Sequence, residues 1–181
     1  MAQQKTSSKK TPRSTPAISS TPSNPASFRI PLWAALGVFA VATLVFFRAQ
    51  VFGDAYFWED FTEYVYPAQS FAAQFLRSGE IPFWNPYSFS GMPFLADVAV
   101  GFFYPPNMLL ALFVENGKLS VFALESLIIA HFVLAQCTMF LLMRSLKVSD
   151  AGSLIASVSY GFSGIMVHHV FHPMMVAHFA W

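Results

Sequence analysis

L-S-V-F-A-L-E-S-L-I-I-A-H-F-V-L-A-Q-C-T-M-F-L-L-M, Leu119 to Met143, is the stretch whose reading decides the fold. Only Glu125, His131 and Gln136 interrupt its apolar character, and Arg144 and Lys147 follow it. An α-helix needs roughly 20 apolar residues to cross about 30 Å of hydrocarbon, so the run predicts a transmembrane helix. Ile30 to Phe47, bracketed by Arg29 and Arg48, and Ala151 to Val170 read the same way. The expectation is an all-α integral membrane chain with three spans, near residues 30–47, 119–143 and 151–170, and a long loop over 48–118. A cleaved signal peptide is the alternative for the first run, but no small-x-small site follows it suitably.

Composition agrees with that class. Hydrophobic residues make up 55% and charged residues 10%, against about 25% charged in soluble domains. Cys137 is the lone cysteine, so neither a disulfide framework nor a thiolate metal site is offered. Residues 1–28 are polar, and their charges, Lys5, Lys9, Lys10 and Arg13, are all positive. That composition predicts a disordered basic tail able to touch anionic headgroups. Without interleaved aromatics it does not predict a nucleic-acid partner.

Charge bias sets the orientation. The tail and the Arg144–Asp150 turn are basic, whereas Asp54, Glu59, Asp60, Glu63, Glu80, Asp97 and Glu115 crowd the long loop. The positive-inside rule makes the amino terminus cytoplasmic and the loop external, and a third span puts His168 to Trp181 outside as well. The acidic loop and the histidine-rich terminus then share one face. Gly152, Ser153, Ala156, Ser157, Gly161 and Gly164 in the third span have the small-residue spacing that lets helices pack closely. Such a helix needs partners, so residues 29–181 read as the amino-terminal part of a larger polytopic domain.

Within the loop, Pro67 opens a short helix, with Phe71, Phe75 and Leu76 on one face, that ends at Ser78-Gly79. It is expected to lie on the membrane surface. Pro82, Pro86, Gly91 and Pro93 argue against regular structure after it, and Pro105-Pro106 opens a second short helix, Asn107 to Val114. The rings of Phe83, Trp84, Tyr87 and Phe89 suit an interfacial belt, or a docking surface for a sugar or lipid-linked substrate. Glu125 and Gln136 fall eleven apart, nearly on one helix face, and point to interhelical hydrogen bonding or a substrate contact. His131 lies off that face and receives no role.

Glu59-Asp60 with Pro67 following, then G-E-I-P-F-W-N-P-Y (Gly79 to Tyr87), G-M-P (Gly91 to Pro93), Y-P-P-N (Tyr104 to Asn107) and the histidine-rich end with His169, His172 and Trp181, resemble the bacterial YfhO-type family of polytopic membrane proteins. The likeness covers roughly residues 50–181. It implies a type C glycosyltransferase-like fold in the bacterial inner membrane and transfer of a sugar from a polyprenyl-phosphate carrier to an external acceptor. Asp60 matches the family's aspartate ahead of the proline. A carboxylate there can take the acceptor's proton and stabilise a cationic anomeric centre. Glu59 would tune Asp60 or help hold a divalent cation, the cofactor itself staying open. Asp54 is the second candidate base. Trp84, Asn85, Tyr87, His169 and His172 are the expected substrate-binding residues.

His168 and His172 have the i, i+4 spacing of zinc ligands but no carboxylate or thiolate beside them, so no metal site is assigned. Hydrogen bonding to a phosphate is the expected role of these histidines. Membrane lipid, a lipid-linked sugar and the remainder of the polytopic protein are the expected partners. A transporter or flippase of lipid-linked saccharides, or a non-catalytic assembly factor, are the alternatives.

Overall fold

A computed structural model describes residues 29–181, and the basic tail expected over residues 1–28 lies outside them. The described chain is mostly helical. Helix α1 runs Leu32–Phe46 and α2 Arg48–Val51; a π-helical turn, Phe61–Val65, leads into α3, Tyr66–Arg77. Strands β1, Trp84–Asn85, and β2, Met92–Pro93, form a hairpin. After α4, Pro105–Met108, and a 3-10 turn at Leu109–Phe113, β3, Val114–Glu115, pairs with β4, Lys118–Leu119. Helix α5, Val121–Ser145, and α6, Asp150–Gly161, follow. Then come α7, Gly164–His168, a 3-10 turn at His169–Phe171, and α8, Pro173–Ala180.

Two helical runs, Val121–Ser145 and Asp150–Phe171, are long and apolar enough to cross a membrane. The first apolar helix, α1, is shorter at 15 residues, about 22 Å at 1.5 Å per residue. A bend at Phe47 separates it from α2.

Side-chain caps start the two long runs. Ser120 Oγ accepts the Ala123 N–H and Ser149 Oγ accepts the Gly152 N–H, each meeting a donor that the first turn leaves without a backbone partner. Helices α1 and α5 are antiparallel. Phe39 stacks edge-to-face on Phe140, Gln136 donates to Thr43 Oγ1 at 2.9 Å, and Phe47 meets Phe132 further along. Beyond the Phe39 end, Asp150 joins three segments: it pairs with Arg144 at 3.3 Å and accepts the Ile30 N–H. On α6 the buried stripe is Ser153, Ser157 and Gly161, which packs on α5 with Gly161 against the Gln136 side chain. This is the close packing that small residues permit.

The carboxy-terminal segment, expected on the external face beside the loop, packs along the helices. Helix α8 turns back along α5: Thr138 Oγ1 donates to the Ala180 carbonyl at 2.9 Å, and the Tyr160 hydroxyl to the Phe179 carbonyl at 2.7 Å. Pro173, with no N–H to give, starts this return at the helix position where none is needed. Met166, Val176 and Ala180 complete the core with Phe132 and Ala135.

The loop is more ordered than its prolines predict. Trp84 and Asn85 pair with Pro93 and Met92, since a proline is compatible with a two-stranded edge where its nitrogen need not donate. Gly91, at φ 106°, lies so close under Trp84 that an added Cβ would sit 2.6 Å from the indole. Helix α3 starts at Tyr66-Pro67 and stops before Gly79, as expected, but it is not a free surface helix. Gln69, Ser70, Ala72 and Ala73 are buried, and Phe71 stacks on Phe94. Gln69 donates to the Val100 carbonyl and Tyr66 to the Leu119 carbonyl, so α3 is bound into the loop on both sides. The β3–β4 turn, with Asn116 and Gly117 both at positive φ, takes Leu119 out of the long helix, which starts at Val121.

Candidate functional site

Asp60 begins the helical run that continues through α3, and three anchors hold the segment before it. Glu125, 2% exposed on α5, accepts the Phe57 N–H at 2.8 Å. The Phe57 ring meets Phe47 on one side and Phe61 on the other. Glu59 then adopts φ 54°, a left-handed conformation that costs a non-glycine residue on the order of 1–3 kcal/mol. Its carbonyl accepts the Thr62 and Glu63 N–H groups and the Thr62 hydroxyl. The reversal at Glu59 sets the direction from which Asp60 enters the helix.

His172 Nε2 lies 2.9 Å from Asp60 Oδ2, across 112 residues of chain. Both side chains are about half exposed. The histidine-rich segment thus reaches the loop acid. His172 occupies the corner before Pro173, with its own amide donating to the His169 carbonyl. His169 gives Nδ1–H to the Ile165 carbonyl at 2.7 Å, leaving Nε2 to accept, and its ring centroid lies 5.8 Å from that of His172. The imidazole can donate to Asp60 through Nε2 and leave Oδ1 free to receive a proton.

Asp54 occupies the exposed turn after α2, where its amide donates to the Ala49 carbonyl. Glu59 is exposed, and its backbone rather than its carboxylate is engaged. Among the described residues, no three His, Cys, Asp or Glu side chains converge as a metal ion would require.

The aromatic residues form a different place. A cleft of about 640 Å³ opens between α3 and the β1–β2 hairpin, and Tyr87 and Asn85 line it while Asp60 and His172 do not. Asn85 is buried and closes an Asx turn: Oδ1 accepts the Tyr87 N–H and Nδ2 donates to Ser88 Oγ. Its amide shapes the hairpin and is not left open for substrate. Trp84 covers Gly91, and Tyr87 is 86% exposed at the cleft. The Tyr64 hydroxyl donates to Asp97. Burial first, then the Asp97 bond and charge, push that hydroxyl well above the ordinary tyrosine value.

Sequence reading gave neither Glu125 nor His131 its position here. Glu125 serves the Asp60 segment and not a neighbouring helix. His131 Nδ1–H donates to the Leu127 carbonyl, so its Nε2 accepts the Tyr104 hydroxyl at 2.7 Å; Tyr104 in turn accepts Trp181 Nε1–H. Asn107 ties the Val100 and Gly101 carbonyls together beside Met174. The Y-P-P-N motif is therefore a joint between the loop and the returning α8. A polar side chain inside an apolar run, paired with a tyrosine-bearing motif elsewhere, was the available signal, but it named no partner. No family model, curated protein or solved structure matches this chain.

Proposed function

We propose that the chain is the amino-terminal part of a bacterial inner-membrane glycosyltransferase that moves a sugar from a polyprenyl-phosphate carrier to an extracytoplasmic hydroxyl. The observation that carries this reading is the Asp60–His172 contact at 2.9 Å. Asp60 takes the proton of the acceptor hydroxyl as its oxygen bonds to the anomeric carbon. The bond from that carbon to the phosphate oxygen breaks, and the carrier leaves as polyprenyl phosphate. Between those events the sugar carries cationic character, which a carboxylate stabilises. His172 orients Asp60, and the His169 Nε2 face is suited to the phosphate oxygens when the ring is protonated.

Three spans, α1, α5 and α6–α7, are the proposed membrane arrangement. Support comes from the apolar side chains that face outward, such as Val41, Val45, Leu141 and Ile155, which lipid would cover. Further support is the grouping of Arg144 and Lys147 near Ile30 and Asp150, away from Asp60, in accord with the positive-inside rule. Asp60→Asn keeps size and a hydrogen-bond acceptor but is a far weaker base. In the full-length protein it is expected to abolish sugar transfer while expression and membrane insertion stay normal. Retained transfer sinks the assignment, and tolerance in a complementation assay favours an assembly role. Labelling of Thr62→Cys in intact cells checks the sidedness: reaction only after permeabilisation overturns it.

A further inference from the structure

Neither Asp60 nor His172 lines the cleft beside α3, yet it has the features of a binding site. At about 640 Å³ it falls within the roughly 300–1,000 Å³ of small-molecule sites. It also continues. A shallower hollow of about 540 Å³, bounded by Arg77 and Asn116, shares Gln74 and Gly117 with it. Together they form one trough past α3, longer than a single compact molecule needs.

Two rings stand at its mouth. Tyr87 is 86% exposed and Phe89 90%. Phe89 and Ser90 have φ of 51° and 61°, so the hairpin displays these rings from a backbone that most residues avoid. The lining behind them is mixed: apolar side chains, Phe71, Met92 and Phe94 among them, supply most of its surface, and polar and charged groups are set between them. Gln74 donates its amide to Ser70 Oγ, which leaves the amide oxygen to accept. Ser88 Oγ accepts from Asn85, which leaves its hydroxyl proton to donate. Asp97 is occupied by the Tyr64 hydroxyl, and Glu63 and Lys118 offset one another in charge.

That chemistry selects its ligand. A strongly anionic chain would meet Glu63 and Asp97, and a wholly apolar one would leave the amide and hydroxyl groups dry. Sugar rings offer apolar C–H faces to aromatic side chains and hydroxyls to mixed donors and acceptors. We infer that the trough binds a neutral oligosaccharide, with Tyr87 and Phe89 as stacking platforms and Gln74, Ser88, Glu63 and Lys118 as its hydroxyl partners. Only the role of the bound chain rests on the transferase reading: it is the acceptor. Glu63, which lines the cleft, follows Asp60 by about one helical turn, so the acceptor's reacting hydroxyl is taken to lie on the Glu63 side.

The test uses the chain in lipid nanodiscs with maltotriose, cellotriose and chitotriose as probes, read by saturation-transfer NMR. Transfer to at least one trisaccharide is expected, weakened about tenfold in affinity by Tyr87→Ala or Phe89→Ala. Phe89→Ala alters a side chain that is almost fully exposed, so loss of fold does not explain its effect. No transfer to any probe, or transfer indifferent to both substitutions, overturns the inference. So does a result in which these variants instead loosen attachment to the bilayer, the sign of an interfacial belt. The two readings fail separately: activity that depends on Asp60 without trisaccharide binding removes only the trough. Binding in a chain whose full-length Asp60→Asn form still transfers sugar removes only the proposed base.

Discussion

Glu125→Ala tests how the Asp60 segment is held. The carboxylate is 2% exposed and accepts the N–H of Phe57, itself 4% exposed, at 2.8 Å. Alanine removes the acceptor and leaves a buried donor without one, at a penalty of about 1–3 kcal/mol. At 1.4 kcal/mol per factor of ten, the segment should open about 5- to 150-fold more often. Asp60 follows Phe57 by three residues, so the contact with His172 should loosen in the same proportion. Hydrogen–deuterium exchange on a peptide spanning Phe57 to Asp60 measures this directly, with the distal half of α5 as internal control. Glu125→Gln retains a carbonyl oxygen and is expected to exchange near the wild-type rate. If Glu125→Ala leaves exchange of this peptide unchanged, the buried carboxylate does not anchor the segment.

Other substitutions probe separate features. Gly161→Ala drives a methyl into Gln136 Cγ and disturbs the Gln136–Thr43 bond; a loss of about 1–3 kcal/mol should appear in denaturant unfolding in micelles, and wild-type stability would rule out the tight α5–α6 contact. Glu59→Gly relieves the left-handed strain at the expense of extra chain entropy, for a net gain of about 1 kcal/mol. If this variant keeps its stability but loses sugar transfer, the Glu59 carboxylate takes part in the chemistry. The raised Tyr64 hydroxyl favours the protonated form in the folded state. Its contribution to stability is complete below the ordinary tyrosine value of about 10 and is lost as pH rises through the higher folded value. Ultraviolet titration should show a late-ionising tyrosine that Tyr64→Phe deletes; simultaneous ionisation of all tyrosines contradicts the Asp97 bond.

The parts of the candidate site that could be read in the chain were local ones. Pro67 and Gly79 bound α3 because one has no N–H to lose and the other accepts φ 76°. Asn85 was visible as a conspicuous residue, but its role depends on where Ser88 and the Tyr87 amide fall after the chain turns. The W-N-P-Y aromatics and the acid suggested one site because they share a loop. The fold separates them, with Asp60 directed to His172 and Tyr87 to the cleft.

Sequence by itself determined the long apolar helices, their breaks and the small-residue stripe that packs on α5, because hydropathy, capping and backbone restriction act over a few neighbouring residues. Tertiary structure alone decided that Asp60 meets His172, that Glu125 holds Phe57, and that Trp181, Tyr104 and His131 join in one chain of hydrogen bonds. Each of those contacts is a directional bond between distant segments. Its partner is chosen by how α8 returns along α5 and how the loop seats on the bundle, a geometry to which no short period in the sequence corresponds.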